Sequence, residues 1–504
     1  MDCYLGIDIG TFETKGVLAD GRGRILASAK RRHDLIVPQP GWAEHDAEND
    51  WWGEFCAVSK ELVATSGVAA GDIKAVAASG IGPCMLPVDK GGKPLMNAVL
   101  YGVDTRASEE IEELTAEIGE ETLFAECGNA LTSQSVGPKI LWLKKNRPDV
   151  YARTHKVLNS SSFLVHRLTD RFVIDHYSAA SSTPLYDIRT NQWSERYALR
   201  IIAPERLPDL LWSTEIAGQV TQQAARETGL AAGTPVTAGT IDAASEAISV
   251  GVLGRGEMMM MYGSSMFIIL VTDHRVADGR LWYAPWLFKG QHACMSGTST
   301  SGTLTRWFQE QFARELEADD ALRLLAEEAR ASPVGANGIV VLPYFSGERT
   351  PIHDPHARGV IFGLDLTHTR ADIYRGFLEG IAYGVTSVIE TYQTAGASVD
   401  RIAAVGGGTK NAVWSQAISD ASGKTQDVAA HTLGAAFGNA FLAAIAVGAA
   451  ERGDIRRWNP VERSIVADAR NHAVHRARYR TFKELYARNS DLMRGTGQRA
   501  FDEA

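Results

Sequence analysis

Hydrophobic and polar positions alternate along this chain in two distinct rhythms. Residues 5–9 and 16–19 are apolar runs separated by a short polar turn, the pattern of a β-hairpin. Residues 257–273, EMMMMYGSSMFIILVTD, repeat it: apolar run, Gly263-Ser264-Ser265, apolar run. After each hairpin the rhythm changes to strands alternating with amphipathic helices, the order of an α/β domain. From Asp46, the residues Trp51, Trp52, Phe55, Val58 and Leu62 recur at helical spacing behind an acidic first turn. Residues 73–82 read as a buried strand that ends in a glycine-rich loop. A helix begins at Thr369, which forms a capping box with Asp372. Gly376, Gly380 and Gly384 then recur every fourth residue, a stripe that lets a neighbouring element approach closely. Residues 401–423 predict strand, triple glycine, helix and a glycine stop. The chain closes on a charged amphipathic helix with a loose tail.

The echo of the two hairpins divides the chain. Two similar domains facing each other place the two hairpin tips on opposite sides of one cleft. The division reads as 1–245, 246–485 and a tail of 486–504. A chain of 504 residues is long enough for two such cores. Its 60 acids against 51 bases leave a net charge of −9, which excludes a basic nucleic-acid face. Phosphate must therefore be held by local groups. The five cysteines, Cys3, Cys56, Cys84, Cys127 and Cys294, are scattered without a CxxC, so zinc and disulfides are not expected and a reducing, cytoplasmic setting is. The start shows no basic, apolar leader, because Asp8 interrupts the first apolar run. Residues 433–450 carry no charge, yet they are rich in Ala and Gly and contain Asn439. They read as a buried helix rather than a membrane span.

Three stretches carry candidate chemistry. In the first turn, backbone N–H groups around Gly10 and Thr11 can form an anion-binding nest, to which Thr14 adds a hydroxyl and Lys15 a charge. Asp8, at the strand end, has the hard oxygens that suit Mg²⁺. A plain hairpin with a satisfied aspartate is the other reading of the same residues. In 238–251, AGTIDAASEAISVG, Asp242 follows a Gly-Thr turn and suits either a general base facing a cleft or a helix cap. Gly406-Gly407-Gly408, with Asn411 where a dinucleotide fingerprint has glycine, lets a flat ligand such as adenine approach the backbone. Two look-alikes are set aside. Gly423-Lys424-Thr425 follows a helix and lacks the first glycine of a P-loop, and His353 and His356 flank a proline in a loop.

Together these stretches resemble the FGGY carbohydrate kinases over nearly the whole chain. GIDIGTFETKG resembles that family's first phosphate loop. SQSVGPKILWLKKNRP, with Lys139, Trp142 and Pro148, resembles its first signature, and LPYFSGERTPIHDPHARGVIFGL its second. GGGTKNAVWSQAISD is similar to its adenosine segment and GTIDAASEAISVG to the segment with the catalytic base. The resemblance implies two ribonuclease H-like domains of the actin and sugar-kinase ATPase type, closing on an interdomain cleft. It implies ATP and Mg²⁺ as cofactors and phosphorylation of a sugar or polyol hydroxyl, with Asp242 as base. Asp8 and Asp242 would hold the metal through water. Gly10, Thr11, Thr14 and Lys15 would meet the phosphates from one side and Gly263, Ser264 and Ser265 from the other. Gly407, Gly408 and Asn411 would border adenosine.

GWAEHDAENDWW and the second signature resemble the xylulose-kinase branch of that family. Where that branch carries Gln-Met-His, this chain has Ile81-Gly82-Pro83-Cys84; where the branch has Trp-Asn-Asp-x-Arg, it has YGVDTR. Gly82, Pro83, Cys84, Asp104, Arg106 and Asp242 are the expected acceptor-binding residues. D-xylulose, a ribulose, another ketose, erythritol and glycerol are the candidate acceptors. A small-molecule substrate is expected, with neither nucleic acid nor membrane as partner, and homodimerisation is left open. An actin-like ATPase and a Rossmann dehydrogenase are the competing classes.

Overall fold

The structure, a computed structural model, describes residues 1–502. Both predicted hairpins form. Strand Cys3–Ile9 pairs antiparallel with Glu13–Asp20, and Glu257–Tyr262 with Met266–Thr272. Each hairpin seeds a larger sheet with the same order. In the first half, Ile25–Arg32 continues the antiparallel meander; on the other side Ile73–Gly80 and then Pro235–Thr237 join in parallel. In the second half, His292–Gly297 extends the meander, and Arg401–Val405 and Gln426–Ala429 join in parallel. This repeated mixed sheet is consistent with two ribonuclease H-like units. Helices cover the sheets, as parallel connections require.

The helix expected from Asp46 opens with a π turn, Ala47–Gly53, before the α-helix Glu54–Ser66. Asp46 caps it by accepting from Glu48 N and Asn49 N, and the five predicted apolar residues are buried. The helix Arg370–Thr394 has the predicted capping box. Its glycine stripe is a packing device: a Cβ on Gly380 would sit 2.5 Å from the Val341 carbonyl oxygen, and one on Gly376 2.8 Å from Ile339 Cγ2. The last helix runs Ala469–Asp502, so the expected loose tail from 486 is helical that far. Leu485 and Met493 are buried in the second core, and Tyr486 donates to Asp354, which holds the helix down. Residues 503 and 504 lie outside the described residues.

The helix Ala435–Ala446 decides how the halves meet. It follows the second sheet in sequence, yet packs on strands Cys3–Ile9 and Ile73–Gly80 and on the helix Asp242–Ser249. Its composition follows from that position. A Cβ on Gly6 would collide with the backbone of Ala436 and Ala440, and one on Gly438 with the Ser245 carbonyl. Only Gly and Ala allow a strand and two helices to approach at backbone distance. Among the described residues, no helix is long and apolar enough to cross a membrane.

Candidate active site

The first hairpin tip is gripped from behind. Trp51 Nε1–H donates to His45 Nδ1 (3.1 Å), so His45 keeps its proton on Nε2 and donates it to the Thr11 carbonyl (3.1 Å). His33 donates from Nε2 to the Gly10 carbonyl (3.1 Å), while its Nδ1 meets Glu54 at 2.9 Å. Burial, with His33 nearby, pushes His45 down to about 4; against burial, Glu54 holds His33 above its ordinary value. The tip carbonyls are thus occupied. The N–H groups of Thr11 and Phe12 have no protein acceptor among the described residues. Lys15 is half-exposed and ion-paired with Glu13 at 3.2 Å. Thr14 is fully enclosed, and its hydroxyl has no hydrogen-bond partner among the described residues.

The second tip is gripped by a helix. Gly302 N–H donates to the Gly263 carbonyl (3.1 Å), and Ser301 N–H and Thr303 N–H to that of Ser264 (3.0 Å each). These donors belong to the start of the helix Gly302–Phe312, and among the described residues the N–H groups of Ser264 and Ser265 are left without a protein acceptor. Ser301 and Gly302 escaped the sequence reading; the small-residue run SGTSTSG was their only signal. Behind this tip, the triple glycine divides its work. Gly406 has φ 93° against the Tyr262 backbone, and a Cβ on Gly408 would strike Trp414, whereas Gly407 faces open space. Asn411 caps the helix Ala412–Ser422, its Oδ1 accepting from Trp414 N at 3.1 Å.

Beside the first tip lie the carboxylates. Asp8 is 8% exposed and accepts from the Ser79 hydroxyl at 2.6 Å. Burial raises its carboxyl to about 6, against the Ser79 hydrogen bond and the charge of Lys15. Asp242 is the first residue of the helix Asp242–Ser249; the cap position itself is Ile241, which corrects the capping alternative. Its Oδ1 accepts from Ala243 N at 2.7 Å. Burial, then the charge of Asp8, raises the Asp242 carboxyl well above the usual range. Glu246, one turn on, is pushed up to about 7 by burial and Asp8; the sequence reading did not single it out. Neither Asp8 nor Asp242 has a cationic partner within ion-pair distance among the described residues.

Asp242 borders a cavity of about 150 Å³ walled by both halves. The first half contributes Gly82, Pro83, Asn129, Thr132, Gln134, Ser135, Tyr177, Ser181 and Thr183; the second contributes Phe267, Trp282, Tyr283 and Met295. No Lys, Arg or His lines it. Of the expected acceptor residues, Gly82, Pro83 and Asp242 meet here. Cys84 is buried, donates to the Ile81 carbonyl, and lies in the wall of a smaller neighbouring void. Asp104 and Arg106 are outside the lining. Arg106 Nη2 pairs with Asp104 (2.7 Å) and Glu44 (2.8 Å), its guanidinium lies 3.9 Å over Trp42, and Asp104 accepts from Ala43 N. They tie residues 43–44 to 104–106. Lys139 of the first signature is likewise enclosed and donates to the carbonyls of Leu100 and Tyr101; burial lowers it to about 8. Asn129, Thr132, Tyr177, Trp282 and Met295 went unread because no motif joins them.

Two lobes of one fold, each with a turn of free N–H groups, and a carboxylate-bordered cavity between them define a two-domain phosphotransferase cleft. Two family models match the chain: the N-terminal domain of the FGGY family of carbohydrate kinases over residues 3–249, and its C-terminal domain over residues 258–447. The chain belongs to this family. It is 29% identical over 497 residues to the xylulose kinase of Bacillus subtilis (strain 168), covering 98% of each chain. It is 27% identical over 427 residues to the gluconokinase of the same organism, covering 82% of each. The crystal structure of xylulose kinase from Rhodospirillum rubrum matches with a TM-score of 0.92 at 30% identity, over 98% of this chain and 100% of that one.

Proposed function

We propose that the protein transfers the γ-phosphoryl group of ATP to a hydroxyl of a neutral ketose or small polyol, a ketopentose such as D-xylulose foremost. The observation that carries this reading is the cavity: hydroxyl, amide and aromatic walls, one carboxylate and no cation. An aldonate would place its own carboxylate near Asp242 without a counter-charge, a costly arrangement in a buried site. This separates the expected acceptor from that of the gluconokinase relative. The relatives named xylulose kinase support the ketopentose. Gly82 and Pro83 offer no side-chain hydrogen bond, so acceptors that differ only on that side are expected to be discriminated weakly.

Asp242 acts as general base. Its raised proton affinity suits it to take the acceptor hydroxyl's proton as the oxygen attacks the γ-phosphorus; the bond to the β-phosphate oxygen breaks and ADP leaves. The free N–H groups of the two tips, with Lys15, receive the phosphates, and open space beside Gly407 receives the adenosine. The residues fit Mg²⁺: Asp8 and Asp242 are hard-oxygen donors that repel each other and make no ion pair among the described residues, with only the more distant charge of Lys15 acting on Asp8. Bound there through water, the metal would neutralise charge on the transferring phosphates. Closure of the two lobes excludes water, the competing acceptor. The setting expected for this chemistry is the cytoplasm.

The test is acceptor-dependent ADP release with Mg²⁺-ATP across D- and L-xylulose, D- and L-ribulose, erythritol, glycerol and gluconate, with Asp242→Asn in parallel. Stimulation by a neutral acceptor, lost in the variant, is the expected result. Stimulation by gluconate alone would overturn the acceptor class, and activity that survives the substitution would remove Asp242 as base.

A further inference from the structure

One polar side chain is out of place by every packing criterion. Asn439 is fully buried in the helix Ala435–Ala446, among Ala436, Ala440 and Ala443, where alanine satisfies the space. A buried amide is unfavourable unless its hydrogen bonds are made. Here they are all made, and their directions are forced. Asn439 Nδ2 lies 2.8 Å from the Ile7 carbonyl, which only accepts, so the amide nitrogen faces that side. Its second hydrogen goes to Ser79 Oγ at 2.7 Å. Having accepted there, the Ser79 hydroxyl points its own hydrogen at Asp8 Oδ1, 2.6 Å away. On the opposite side, Asn439 Oδ1 accepts from the Ser245 hydroxyl at 2.6 Å, and Ser245 lies one turn along the helix that begins with Asp242.

We propose that Asn439 is a positioning residue of the phosphoryl-transfer centre: through Ser79 it fixes the orientation of the Asp8 carboxylate, and through Ser245 it locks that carboxylate's strand to the helix of the general base. This rests on the reading of Asp8 and Asp242 given above. The chain Ser245–Asn439–Ser79–Asp8 crosses four elements, two helices and two strands, and Asn439 comes from the second half of the sequence. Ser79 and Ser245 are both fully buried, so no water competes for these bonds. Each bond has one donor assignment, so the network has a single low-energy state, and among the described residues Asp8 Oδ2 has no protein hydrogen bond. A carboxylate held in one rotamer presents its free oxygen to a metal or phosphate at no reorganisation cost.

The experiment compares Asn439→Ala and Ser79→Ala with the unmodified protein by titration calorimetry of ATP, with and without Mg²⁺ and without acceptor. Ser79→Ala removes one oxygen and leaves the Asn439 bonds to Ile7 and Ser245, so it serves where Asn439→Ala fails to fold. Expected are metal-free ATP affinities within about twofold of the unmodified protein, with the Mg²⁺-dependent gain in affinity reduced by about tenfold in both variants. In turnover, kcat falls about 10- to 100-fold while the acceptor KM moves less than about twofold. Lower melting temperatures with the Mg²⁺ gain intact would overturn the proposal and leave Asn439 a structural residue. Absence of acceptor-dependent turnover in the unmodified protein would instead count against the kinase reading, and the calorimetry would still decide the positioning role.

Discussion

The two hairpin tips share a backbone and differ in what stands around them. In both, the turn carbonyls are taken from behind and adjacent N–H groups have no acceptor among the described residues: Thr11 and Phe12 in the first, Ser264 and Ser265 in the second. The first tip is held by two histidine side chains and is surrounded by Asp8, Glu13, Lys15, Asp242 and Glu246. The second is held by the start of a helix and carries glycine and serine alone. The same fold thus supplies a charged jaw and a neutral one. On the function proposed above, the charged jaw would serve the metal, the proton and the reacting phosphate, and the neutral jaw would meet phosphate through backbone dipoles.

The strongest way to break this division is to remove charge from the first jaw. Asp242→Asn is expected to lower kcat about a thousandfold, the scale of general-base catalysis, and to leave metal-free ATP affinity within about twofold. A comparable loss of metal-free ATP affinity would assign Asp242 to nucleotide binding instead.

Asp8 tests the cost of that charge in the free protein. Its carboxyl binds a proton more tightly folded, at about 6, than unfolded, at 3.8. Its contribution to stability is therefore fully present below about pH 4 and is lost as pH rises through about 6. Asp8→Asn should stabilise the metal-free protein by roughly 3 kcal/mol at pH 8 and hardly at all below about pH 4, as read from denaturant midpoints. A pH-independent effect would mean that the carboxylate is not strained by burial.

Between the jaws, Lys15→Ala is expected to raise the ATP KM about tenfold and Ser264→Ala only about two- to threefold, because the serine acts through its backbone. Equal effects would erase the distinction between the tips. The smallest effect is on the adenosine side. Gly407→Ala meets open space, so melting should be unchanged while the ATP KM rises about twofold; Gly408→Ala, which collides with Trp414, should lower the melting temperature.

Much of the charged jaw was legible because its parts are neighbours in sequence: Asp8, the Gly10–Thr11 turn and Lys15 sit on one hairpin. Even so, the alternation of a strand hid that Thr14 and Lys15 face opposite ways, one enclosed and one exposed. Asp104 and Arg106 show the opposite hazard. Their spacing suits a ligand pair and suits a buried ion pair equally; with Glu44 and Trp42, some sixty residues upstream, they form a buried ion pair outside the cavity lining.

The sequence by itself determined the two hairpins, the glycine turns, the helix caps and the family, since each depends on residues within a few positions of one another or on motifs kept in order. The tertiary structure alone decided the cavity beside Asp242 and the Asn439 network. Their walls come from segments far apart in sequence, joined by burial and by hydrogen bonds whose direction depends on a partner from another element. In sequence, Asn439 marked only a stretch too polar to cross a membrane; in the fold it is the joint between Asp8 and the helix of Asp242.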